Sequence, residues 1–160
     1  MTFTNLPEKE RLSNLLKFYQ NVAAEHKVAH HKASRRNLWL NNALQITSIA
    51  LAVFVGGTLF STLSVIPSWS IFLAIASFVS ATLGMIIIFL RPGEKCAAHK
   101  SFTSNYSSIE REIAIELSAS LGEKKLRTLV EHYNKELNEL SKHAPLVKAT
   151  SHEVILWQTR

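Results

Sequence analysis

The chain has 160 residues, a formal net charge of +6, one cysteine and no aspartate. Its length bounds it to one modest domain, and the lone thiol, Cys96, excludes an intrachain disulfide and any cysteine-based zinc cluster. The positive charge is compatible with a nucleic acid polymer as partner, but no nucleic-acid-binding motif accompanies it, and much of the excess flanks the apolar segments described below, where Lys and Arg meet anionic lipid head groups.

The first element is an amphipathic arm. Pro7 suits a helix start, where its missing amide proton costs nothing, and neither proline nor glycine recurs before Gly56. The segment from Glu8 to Leu40 can therefore run unbroken into the apolar segment after it. Leu12, Leu15, Tyr19, Val22, His26, Ala29 and Ala33 follow a 3,4 rhythm along the arm, a stripe that needs a helical partner. Histidines cluster in AEHKVAHHK, and His26 and His30 stand one turn apart, as metal ligands do. With only Glu25 nearby they underdetermine a metal site, so the simpler reading is structural or interfacial, with proton sensing intermediate. No metal and no cofactor is expected.

From Asn37 to Leu90, 54 consecutive residues carry no Asp, Glu, Lys, Arg or His. A helix needs about 20 residues to cross a bilayer, so two spans fit, and Pro67 in STLSVIPSWS marks the turn between them. Leu, Ile, Val, Phe and Ala occur all round the helical wheel, unlike the one-sided pattern of a soluble bundle. A secretory signal peptide is excluded because about forty polar or amphipathic residues precede the run and the run exceeds an h-region. Lys27, Lys32, Arg35 and Arg36 precede the first span, and Arg91, Lys95 and Lys100 follow the second. With an uncharged turn between, both termini are expected in the cytoplasm.

Two lines of residues stand out within the spans. Ser70, Ala74, Ser77, Ala81 and Gly84 recur on the second at 4,3,4,3 spacing, a face of small side chains on which helices approach closely. Ala43, Thr47, Ala50 and Gly57 form a partial counterpart on the first, interrupted by Phe54, and the two stripes are expected to pack together in the hairpin. A second line on the first span, Asn41, Gln45, Ser48 and Ala52 continuing to Val55 and Leu59, is polar at one end and apolar further in. Amides are costly in lipid unless paired or wetted, so this line is expected to meet another subunit or an aqueous path; Asn41 and Asn42 also fit simply among head groups.

Pro92 in RPG stops the second span. Cys96 just beyond it permits acylation, though an inert thiol is the simpler reading. Phe102, Tyr106, Ile109 and Ile113 resume the 3,4 rhythm. SASLGE, with Gly122, makes a turn, and Leu126, Val130, Tyr133, Leu137 and Leu140 form a last amphipathic run before Pro145. The tail beyond is left irregular, although Val154, Ile155, Leu156 and Trp157 are able to dock. The expected fold class is an all-α membrane protein: a two-transmembrane helical hairpin with a long N-terminal cytoplasmic helix continuing into the first span and C-terminal cytoplasmic helices. Its parts are the arm (1–38), span one (39–62), a periplasmic turn (63–68), span two (69–91), cytoplasmic helices (92–144) that bundle with the arm, and the tail (145–160).

No glycine-rich phosphate loop, Gly-x-Ser-x-Gly elbow or His-Glu-x-x-His pair is present, so no enzymatic activity is expected. The arm AAEHKVAHHKASRRNLWLNNALQITSIALAV, the uncharged turn, the second span and the run RPGEKCAAHKSFTSNYSSIEREIAIEL together resemble the SLATT domain, a two-span module of bacterial conflict systems. The resemblance covers about residues 10 to 145 and rests on the alanine-rich rhythm of the arm, on Arg35, Arg36 and Trp39 entering the first span, on the proline-terminated second span, on His99 and Tyr106, and on Ala144-Pro145. It implies an effector that oligomerises and permeabilises the inner membrane when a trans-acting sensor or signal nucleotide, as in anti-phage defence, triggers it. The residues agree on an oligomer, since one hairpin cannot enclose water and identical copies around an axis can. A homo-oligomeric pore larger than a dimer is thus expected, ahead of a non-conducting membrane scaffold or adaptor that binds a soluble partner and ahead of a phage-type holin.

Overall fold

The structure is a computed structural model that describes residues 7–61, 67–119 and 121–147, with the side chains of 59–61 and 67–70 outside that description. The expected turn at 63–68 therefore lies almost wholly outside the described residues, as does the tail from 148 on. Every regular element among the described residues is a helix: α1 (Glu8–Ser61), α2 (Pro67–Leu90), α3 (Pro92–Ser118) and α4 (Glu123–His143).

The prolines set the helix boundaries. The Pro7 carbonyl accepts the amides of Glu10 at 2.9 Å and Arg11 at 3.1 Å, while Glu8 and Glu10 place negative charge at the positive end of the α1 dipole. With no proline or glycine to interrupt it, α1 runs for 54 residues. α2 and α3 each open on a proline and are separated only by Arg91. A residue before proline is pushed out of the right-handed helical region, and Arg91 takes the left-handed region at φ 44°, alone among the described non-glycine residues. Its amide still donates to the Ile87 carbonyl at 3.0 Å and its carbonyl accepts from Lys95 at 3.1 Å. Pro92 thus stops one helix and starts the next. At the far end Ala144, before Pro145, is extended at ψ 134° and closes α4.

The chain divides into two compact units. The first comprises the residues up to Ser34 and from Ala97 on; the second is Arg35–Cys96. In the first, Leu12, Leu16, Tyr19 and Ala23 of α1 pack with Tyr106, Ile109 and Ile113 of α3 and with Leu126, Val130, Tyr133 and Leu137 of α4. The α3 and α4 stripes are those expected from their periodicity. The α1 stripe is broader than expected, because a helix wedged between two neighbours buries two adjacent rows: Leu16, Ala23 and His30 are completely buried beside Leu12, Tyr19, Val22 and His26, whereas Leu15, Ala29 and Ala33 are only half-buried. Lys27 pairs with Glu110 at 2.5 Å, Lys125 with Glu116 at 3.1 Å, and Arg127 with Glu8 around this core.

The second unit is a hairpin of the later part of α1 and of α2. The stretches Glu8–Thr58 and Ile71–Ser118 each contain a window long and apolar enough to cross a membrane, and 0% and 11% of those windows are buried. A core helix of a water-soluble domain would bury most of such a window. Here Ile46, Ile49, Val53, Ile75, Phe78 and Phe89 stand exposed.

Candidate functional site

Two groups of residues in the described chain go beyond core packing, one in each unit. The first is the seam and outer surface of the hairpin. On α1, Asn41, Leu44, Ser48, Leu51, Val55 and Thr58 are half-buried at strict 3,4 spacing. On α2, Leu73 and Ala76 are buried and Ser80, Leu83 and Ile87 half-buried in the same rhythm. Ser80 Oγ donates to the Ser48 carbonyl at 3.3 Å across this seam, and Phe54 meets Phe72 edge-on with ring centroids 6.1 Å apart. At the end of the seam near α3, the backbone of Gly93 lies so close to α1 that an added Cβ would sit 3.4 Å from Asn41 Oδ1, and Pro92 is fully buried.

This corrects the expected closure of the hairpin. Thr47, Ala50 and Gly57 on α1 and Ala74, Ser77 and Ala81 on α2 are exposed, while Ala43 and Gly84 are half-buried; the side chain of Ser70 lies outside the described residues. The small-residue stripes lie off the seam because larger side chains in the neighbouring register, Leu44, Leu51, Leu73 and Leu83, supply more area to bury. The line read as pore-facing is split by the same packing. Asn41, Ser48 and Val55 belong to the seam, Gln45 and Ala52 are exposed, and the side chain of Leu59 lies outside the described residues. The 3,4 register from Asn41 to Thr58 is the sequence signal of the seam, and it runs beside rows of polar and small residues with the same spacing.

Three hydroxyls among the apolar residues find partners within the hairpin. Thr58 donates to the Phe54 carbonyl at 2.8 Å and Thr82 to the Phe78 carbonyl at 2.8 Å, each within its own helix, and Ser80 bonds across the seam. Such bonds let hydroxyls enter an apolar medium at little cost. Gln45 differs: its amide donates to Asn41 Oδ1 over a long 3.4 Å and is otherwise exposed. The flanking cations Lys32, Arg35, Arg36, Arg91, Lys95 and Lys100 are all exposed, Arg91 reaching Glu94 at 3.3 Å.

The second group is a buried polar layer in the first unit. His30 Nδ1 lies 2.9 Å from His99 Nδ1. His26 stacks on Tyr106 at 5.0 Å, and His30 stacks on both Phe102 and Tyr106 at 5.6 Å. All three histidines are buried, His30 completely. His30 Nε2 and His26 Nδ1 have no hydrogen-bond partner among the described residues. Burial, then the neighbouring His99 and His26, lowers the His30 pKa from its ordinary value to about 4. The expected pair His26 and His30 is thus joined by His99 from α3. No cluster of three or more His, Cys, Asp or Glu able to hold a metal ion occurs among the described residues. What the layer can do chemically is take up protons.

Scans of protein-family models, of curated proteins and of solved structures find no match to this chain.

Proposed function

We propose that the chain is the subunit of a homo-oligomeric membrane pore, larger than a dimer, in a bacterial inner membrane with both termini cytoplasmic. The observation that carries this reading is the bare surface of the hairpin: exposed Ile46, Ile49, Ile75 and Phe78 alternate with exposed small residues Thr47, Ala50, Ala74, Ser77 and Ala81. Lipid covers the former, and further copies pack closely on the latter. One hairpin cannot surround water, so a conducting path needs several.

With Asn41, Ser48 and Val55 engaged in the seam, the wall of the path falls to Gln45 and Ala52, with Leu59 one position further along the same line. Gln45 supplies the wetted mouth. No charged ring is available in the spans, so weak ion discrimination follows. The SLATT resemblance supports a trigger acting in trans, a sensor protein or a signal nucleotide.

Purified protein reconstituted into potassium-loaded liposomes tests the reading. Release of potassium by a stable oligomer supports it, and a stable oligomer that releases none would leave the non-conducting scaffold as the function. Orientation is tested separately in a Cys96→Ser background. A cysteine at Ser64, which lies outside the described residues, should react with an impermeant thiol reagent once the outer membrane is opened, and one at Ser13 should not.

A further inference from the structure

The His30–His99 contact is unusual in what it demands of its protons. Two Nδ1 atoms 2.9 Å apart hold together only if one carries a hydrogen and the other presents its lone pair. If His99 were the donor, His30 would carry its hydrogen on Nε2, a buried nitrogen with no hydrogen-bond partner among the described residues. An orphaned buried N–H is costlier than an orphaned lone pair, so His30 donates through Nδ1 and keeps Nε2 bare. A proton arriving at His30 has only Nε2 to occupy, where it makes a buried, unpaired, charged N–H between Phe102 and Tyr106.

We propose that the His30–His99 contact is an acid-released lock that holds α1 against α3 while His30 is neutral and lets the two helices part when His30 takes up a proton. The groups around it permit this and offer no compensation. On α1 the titratable neighbour is His26, with Lys27 beyond it tied to Glu110 of α3. On α3 they are His99 itself and the phenol of Tyr106, whose ring stacks on His30. The face of α4 in the core brings Leu126, Val130, Leu137 and Tyr133, the phenol of the last kept protonated by burial first and by Glu112, Glu116 and Glu136 after it. No carboxylate figures among the groups acting on His30, which are His99 and His26. An imidazolium there finds no counter-charge, and opening toward water is its escape. The inference concerns the first unit alone and stands whether or not the chain conducts.

Two measurements on the full chain in detergent micelles test it. In histidine-selective ¹⁵N spectra at pH 7, His30 should be the Nδ1–H tautomer with a direct coupling to His99 Nδ1, and it should stay neutral as the pH falls well below 6.5. In hydrogen exchange corrected for intrinsic rates, the amides around His30 and Tyr106 should open about twentyfold more readily at pH 5 than at pH 7, given a His30 pKa near 4 against 6.5 when exposed. His30→Gln should flatten that dependence, and His132→Gln should keep it. Ordinary titration of His30 near 6.5, or opening that is independent of pH in the wild-type chain, would overturn the lock; the wild-type spectra decide even if the variant fails to fold.

Discussion

Ser80 on α2 gives its hydroxyl hydrogen to the backbone carbonyl of Ser48 on α1 at 3.3 Å. Leu73 and Ala76, two turns and one turn before Ser80, are the buried residues of α2 among those described, so this bond sits in the line along which the hairpin closes. Ala76 and Ala81 are both alanines on one helix, yet one faces the seam and the other faces outward. Ala76→Leu should overpack the seam at a typical cost of about 1–3 kcal/mol, read as a lower thermal midpoint of the solubilised protein. Ala81→Leu should leave the hairpin intact and break up the assembly, read as a fall in mass by light scattering. Loss of hairpin stability in Ala81→Leu, with the oligomer unchanged, would reverse the two assignments.

Leu16 is completely buried in the core of the first unit. Leu16→Ala removes an isopropyl group from a fully buried site and should cost about 2–5 kcal/mol. Neighbouring Leu15, which lies on the 3,4 stripe and is only half-buried, should cost less when truncated to alanine. Paired denaturation curves check the order.

These cases show how far the sequence reached. Helix number and ends were legible, because Pro7, Pro67, Pro92 and Pro145 act on the backbone locally through a missing amide hydrogen and ring sterics. The stripes of α3 and α4 were legible too, since each helix buries one row: Tyr106, Ile109 and Ile113, and Leu126, Val130, Tyr133 and Leu137. The α1 row was misplaced where two partners bury adjacent rows, which periodicity along one helix cannot resolve. In the hairpin, Ser, Ala and Gly suit close approach to any helix, so their spacing marks a face without saying what covers it. The joining of His99 to His26 and His30, 69 residues from His30, depends on tertiary pairing and had no local signal beyond the histidine itself.

Lys27 and Glu110 form a partly shielded ion pair in the first unit, with the two side chains 33% and 27% exposed. Such a partly shielded pair should show a coupling energy near the upper end of the surface range, about 1 kcal/mol. A double-mutant cycle with Lys27→Met and Glu110→Gln measures it, and the coupling should shrink as salt rises. A coupling of zero at low salt would mean that the pair is not maintained in solution.

The His30 pKa near 4 also sets a direction for global stability. Because the folded value lies below the unfolded one, the unfolded chain binds the extra proton. The contribution is fully present above about pH 6.5 and is lost progressively as pH falls toward about 4, amounting to at most about 3 kcal/mol. Thermal midpoints should therefore drop steeply between those limits, and His30→Gln should flatten the curve. A wild-type midpoint that rises over the same descent would contradict the sign.

The central claim is that copies of this hairpin enclose a conducting path whose mouth is wetted by Gln45, an exposed amide on the first span. Planar-bilayer recording of the purified oligomer, wild type beside Gln45→Leu, tests it most directly. The account predicts discrete currents from the wild type with little preference among ions, and smaller or rarer currents from Gln45→Leu at unchanged oligomer mass. Silent wild-type oligomers, or Gln45→Leu currents identical to wild type, would contradict it.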